Sequence, residues 1–144
     1  TFLRAFVFGV LYALSSGTAH SAQHAYATML GAAADGRLNF VDGCREYERR
    51  GGRTKSIFTD NGFHVVYEKD GDQPISDGFF FTAGFKDMDS GELQAEMMRY
   101  GVAAISLPST GSEQKGLRIC VSMLGDDKLY DTLENRLVRF CNEH

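Results

Sequence analysis

The spacing of apolar residues changes along this chain. From Phe2 to Leu14 (FLRAFVFGVLYAL) they run almost unbroken. The alanine-rich stretch HSAQHAYATMLGAAA then has helical spacing, with Ser16 or Thr18 placed to cap its start and Gly36 to close it. After Asp35-Gly36, the residues Leu38, Val41, Cys44 and Tyr47 fall near helical spacing up to an expected break at Gly51-Gly52. Helical character resumes over Thr54 to Asp60 and closes at Asn61-Gly62.

The period then shortens. His64 to Glu68 (HVVYE) reads as a strand, Lys69 to Asp77 as a polar loop, and Gly78 to Phe85 (GFFFTAGF) as a strand apolar enough to be central. Ser90 is placed to cap a helix carrying Leu93, Met97 and Met98 on one face and ending at Gly101. Two strands and a Gly/Ser-rich connection fill Val102 to Met123, and Asp126 or Asp127 caps a last helix through Cys141, with Leu129, Leu133, Leu137 and Phe140 as its stripe.

This order, N-terminal helices followed by ββαββα, predicts an α+β fold (an α/β sandwich) in which a small mixed or antiparallel sheet carries helices on one face. It divides the chain into a helical region, 1–61, and a small α+β domain, 62–144.

Charge and cysteine content narrow the function classes. With 144 residues the chain can bury a core of its own. A net charge of −4, with no basic cluster larger than Arg49, Arg50, Arg53 and Lys55, argues against nucleic acid as a partner. Those four cations read as the solvated end of a helix. Cys44, Cys120 and Cys141 form no CxxC pair, which argues against a disulfide framework or structural zinc and for a reducing, cytoplasmic setting. Cys44 and Cys120 sit among apolar residues and are expected to be buried as small hydrophobes. Phe2 to Ala22 resembles a secretory signal peptide in layout, and its apolar run, Phe2 to Leu14, is too short to span a bilayer, so no membrane partner is expected; the alternative reading is internal sequence.

Several constellations are weak. His20 and His24 share a helix face but have no third ligand at a recognisable spacing, so no metal is assigned. Asp70, Asp72 and Asp77 fail the EF-hand spacing and read as turn residues. Ser109 to Gly116 (STGSEQKG) lacks the Walker spacing; its amides are of a kind that binds anions, and a hairpin connection is the simpler account.

Arg118 stands apart. It lies in the run Leu117 to Val121, whose other members favour a buried pleated surface. A guanidinium there calls for an anion, and a planar carboxylate matches its fork. The alternative is an edge strand with Arg118 facing solvent or paired with an internal Asp or Glu.

Most of the chain also resembles the C-terminal portion, the small domain, of class I/II (fold type I) pyridoxal-phosphate-dependent aminotransferases. SGTAHSAQHAYATML looks like the helix after the cofactor-lysine region, and REYERRGGRTKSIFTDNGF is similar to the family's long helix with its closing glycine and aromatic residue. GFFFTAGF takes the place of the first central strand of the small domain. GELQAEMMRYGVAAISLPSTGSE resembles the helix, strand and loop leading to the substrate, and GLRICVSM resembles the strand whose arginine clamps the substrate α-carboxylate.

The resemblance implies that Arg118 binds the carboxylate of amino-acid and 2-oxo-acid substrates, that pyridoxal 5'-phosphate is the cofactor, and that the intact enzyme is a homodimer. It also implies that no catalytic residue lies in this chain. The Schiff-base lysine belongs to a preceding large domain, since Lys55, Lys69, Lys86, Lys115 and Lys128 all lack the small-residue strand-end context. Leu3, Arg4 and Gly9 are out of register with the family's phosphate segment, and Arg4 is assigned no role. Ser109, Thr110 and Ser112 are candidates to face the substrate. The competing reading is a non-catalytic small-ligand-binding or interaction domain of ββαββα type.

Overall fold

The computed structural model describes residues 1–17, 19–75 and 78–144, so Thr18 as a helix cap and Asp77 as a turn residue lie outside the described residues. The chain forms two compact units, Thr1–Val41 and Asp42–His144.

The described residues of the first unit hold two complete helices. Helix α1 (Phe2–Ser15) has a widened π segment, Ala5–Leu11. It ends at Ser16, which takes a left-handed conformation (φ 54°), and the Ser16 amide donates to the Tyr12 carbonyl. Ser16 therefore closes α1 and does not open the next helix. That helix, α2 (His20–Ala34), starts after Ala19 with no side-chain cap. No single helix among the described residues is long and apolar enough to cross a membrane.

Helix α3 (Phe40–Asp60) runs unbroken through Gly51 and Gly52, where a break was expected. Each glycine costs a helix interior up to about 1 kcal/mol. Tertiary packing offsets this, because Thr54, Ile57 and Phe58 are buried one turn further on. A Cβ on either glycine meets no atom within 4 Å. Gly51→Ala and Gly52→Ala are each expected to stabilise the protein by about 0.5–1 kcal/mol, seen as a higher denaturant midpoint at unchanged slope.

The sheet holds β1 (Phe63–Val65), β4 (Phe80–Phe85), β5 (Ile105–Ser106) and β6 (Leu117–Cys120), in the order β1-β4-β6-β5, every pair antiparallel. Of the two expected arrangements the sheet is thus the antiparallel one. Between β1 and β4 the segment read as a polar loop forms a small hairpin, β2 (Lys69–Asp70) with β3 (Gln73–Pro74), turning at Gly71 with φ 58°. Its strands are only two residues long and fully exposed, so they carry no hydrophobic alternation to reveal them.

Strand alternation sends Phe63, Phe81, Ala83, Phe85, Leu117, Ile119 and Val121 to one face. There they pack with Ile57 and Phe58 of α3, Leu93 and Met97 of α4 (Ser90–Arg99), and Tyr130, Leu137 and Phe140 of α5 (Asp127–Glu143). Helices on one face of a small antiparallel sheet make this an α+β fold.

Two local details differ from expectation. Asp89 caps α4, accepting the Gly91 amide at 2.8 Å. Ser90, expected as the cap, is buried, and its Oγ accepts the Gly116 amide at 2.9 Å, tying the start of α4 to the entry of β6. An aspartate one residue earlier reaches the Gly91 and Glu92 amides with a full charge, which frees the serine for this cross-link.

Helix α3 also secures the exit of β6. Arg50 donates to the Ser122 carbonyl at 2.6 Å and to Glu46 at 2.7 Å, while Arg53 pairs with Asp127 and stacks 4.0 Å over the Tyr130 ring. The Arg49 and Arg50 hydrogen bonds hold the Glu46 carboxyl down from 4.5 to about 2. A carboxyl depressed in the folded state stabilises above its ordinary value and loses that contribution as pH falls through the folded one. Between about pH 4.5 and pH 2 the wild-type protein should therefore lose more stability than Glu46→Gln, measured as urea midpoints across that window.

Candidate functional site

The second face of the sheet is different in kind. Alternation places His64 of β1, Phe80, Thr82 and Gly84 of β4, Arg118 and Cys120 of β6, and Ile105 of β5 on it. His64, Ile105 and Cys120 are exposed there.

Arg118 sits in the middle of this face, with Thr82 its register partner on β4 and Ile105 on β5. Strand β6 is internal to the sheet, which excludes the edge-strand alternative. Among the described residues no Asp or Glu pairs with Arg118, and its buried Nε has no hydrogen-bond partner. The guanidinium instead stacks on Phe80, its Cζ 4.5 Å from the ring centroid. Stacking holds the group in place and leaves its donors uncommitted. A half-buried cation with uncommitted donors is suited to a planar anion.

The neighbouring loop is built for rigidity. Ser106 and Ser109 share a hydrogen bond of 2.6 Å, and Thr110 Oγ1 donates to the Leu107 carbonyl at 2.7 Å. The Gly111 amide donates to Pro108 O, the Ser112 amide to Leu107 O and the Gln114 amide to Ser112 Oγ. These amides are spent on the turn, so this stretch serves as the connection between β5 and β6 rather than as an anion loop. Ser109 and Thr110 are likewise committed to the turn. Ser112 Oγ lies 2.6 Å from the Tyr67 hydroxyl, and the Tyr67 amide donates to Thr82 Oγ1 at 2.9 Å beside Arg118. Tyr67 therefore connects the loop to the Arg118 row, a contact across 45 residues that no local spacing signals.

The cysteines correct one expectation. Cys44 and Cys120 are both exposed rather than buried. Cys120 follows Arg118 by two residues and so shares the open face, because the core set on β6 is Leu117 and Ile119. Cys141 is the partly buried one, where burial pushes its thiol up and its Sγ reaches the Asn61 carbonyl at 2.8 Å.

None of the lysines stands at an open-face strand position, although Lys86 and Lys115 line the pocket beside His64 and Gly84. Lys115 pairs with Asp87 at 2.8 Å, which holds that carboxyl below the usual range; Lys86 donates to the His144 carbonyl; and Lys55 lies 5.9 Å from the Phe81 ring, on the core side. Lys69 lies in β2 and Lys128 at the start of α5. The residues of this chain therefore do not fit pyridoxal phosphate by themselves, because no strand position of the face that carries Arg118 supplies the amine that would hold its carbonyl carbon, and Lys86 and Lys115 at its margin are engaged with His144 and Asp87. No group of three or more metal-ligating side chains occurs among the described residues, and His20 and His24 have no third partner there. No protein-family model matches this chain, and a search of curated proteins finds no match either.

Proposed function

We propose that this chain is the carboxylate-binding C-terminal domain of a pyridoxal-phosphate-dependent aminotransferase, with Arg118 as its substrate-binding residue. The observation that carries the reading is Arg118 itself: a guanidinium on an internal strand, stacked on Phe80 and paired with no carboxylate among the described residues. Its Nη donors engage the two oxygens of an α-carboxylate, which fixes the orientation of an amino acid or 2-oxo acid while the rest of the molecule extends from the sheet. The cofactor amine and the groups that hold the cofactor come from the rest of the intact protein. This domain contributes binding and alignment and holds no catalytic residue of its own. A homodimer and a cytoplasmic setting complete the proposal; the unpaired thiols of Cys44, Cys120 and Cys141 accord with a reducing compartment.

The lack of a lysine at any open-face strand position fits a second reading equally well, a non-catalytic domain that binds small carboxylates. Absorbance of the intact protein with pyridoxal phosphate, followed by borohydride reduction, separates the two. An aminotransferase gives an internal aldimine band and becomes covalently labelled, and amino acids shift the band. A protein that binds amino acids through Arg118 yet stays unlabelled is the binding domain.

A further inference from the structure

Resting on the reading of Arg118 as a carboxylate site, we infer that the site selects substrates with an apolar or aromatic body and a single carboxylate. The surroundings of the guanidinium carry the argument. Phe80 lies under it, its Cζ 4.5 Å from the ring centroid, and Ile105 is its register partner on the edge strand β5, exposed at 43%. The next open-face residue along β6 is Cys120, opposite Phe80. Adjoining Phe80, the Phe79 ring lies 4.4 Å away and is likewise 43% exposed.

A ligand whose carboxylate meets Arg118 thus has apolar side chains on both flanking strands. No position in its row or the row beyond, namely Thr82, Ile105, Phe80 and Cys120, supplies a second cation for a distal carboxylate. Among the described open-face strand residues the other cation-former is His64, two strands away on β1; Lys86 and Lys115 line the pocket beside it, the first bonded to the His144 carbonyl and the second paired with Asp87. The His64 ring covers Gly84, where an added Cβ would stand 2.6 Å from its Nε2. A dicarboxylate would have to desolvate its second charge against Phe80 and Ile105, whereas an aromatic body would bury apolar surface there and stack beside the Arg118–Phe80 pair. Phe80 and Ile105 are therefore the specificity-determining residues of the site.

Calorimetric titration of the intact protein with acetate, glutarate and 3-phenylpropanoate tests this. The expected order places 3-phenylpropanoate about tenfold or more tighter than acetate, with glutarate no tighter than acetate. Ile105→Asn, an exposed edge-strand change that leaves the core intact, narrows the gap several-fold, and Phe80→Leu narrows it while keeping that position apolar. Glutarate binding as tightly as 3-phenylpropanoate, or a gap unaffected by both variants, overturns the inference while leaving Arg118 as the carboxylate site. Binding of all three ligands that is unchanged in Arg118→Met, titrated alongside, overturns the underlying reading as well.

Discussion

Arg118→Met is expected to lower carboxylate binding, and on the proposed aminotransferase reading kcat/KM for amino acids, by a hundredfold or so, while leaving the melting temperature unchanged or higher. The two halves of this expectation share one cause. Arg118 makes no hydrogen bond or ion pair with the described residues, and its buried Nε–H is unsatisfied, a condition that costs a protein about 1–3 kcal/mol. Methionine keeps the unbranched stem against Phe80 and removes the polar atom. A structural arginine behaves in the opposite way: removing it strands a partner and destabilises the fold. Joint measurement of thermal unfolding and ligand affinity decides between these. A protein that melts well below wild type after Arg118→Met would show the arginine to be structural.

Gly116→Ala is expected to destabilise by about 3 kcal/mol or more. Gly116 has φ 138°, and an added Cβ would stand 2.8 Å from the Ala83 carbonyl oxygen and 2.9 Å from Val66 Cγ2. A backbone oxygen inside the sheet cannot move aside. The Gly116 amide also donates to the buried Ser90 Oγ, so a shift of this residue breaks the tie between α4 and β6. Gly84→Ala provides the comparison. Its Cβ would meet the His64 ring at 2.6 Å, but that ring is the free end of an exposed side chain and swings away. Its effect should stay within about 1 kcal/mol. Denaturant midpoints of the two variants measure the difference, and equal effects would contradict this account of the β6 entry.

How much of this was legible in the sequence follows from what each feature depends on. The strands around Phe81 and Ile119 and most of the stripe of α5 (Leu133, Leu137 and Phe140, though not Leu129, which is exposed) show because burial on one face imposes a period. Arg118 shows because a charge interrupts such a run. Gly51 and Gly52 mislead because local propensity takes no account of Ile57 and Phe58 packing on the sheet, and that packing outweighs it. Cys120 reads as buried until its register beside Phe80 places it on the open face. The role of Phe80 beneath the guanidinium, the Tyr67–Ser112 contact and the Ser90–Gly116 tie join residues far apart in the chain, and nothing in local spacing announces them.

The central claim is that Arg118 recognises a carboxylate. Its most direct test is the affinity of the intact protein for a matched pair, phenylalanine and the corresponding amine without the carboxylate, in wild type and in Arg118→Met. The account predicts that wild type prefers phenylalanine by about a hundredfold and that the variant loses the preference by binding phenylalanine as weakly as the amine. An undiminished preference in Arg118→Met would contradict it.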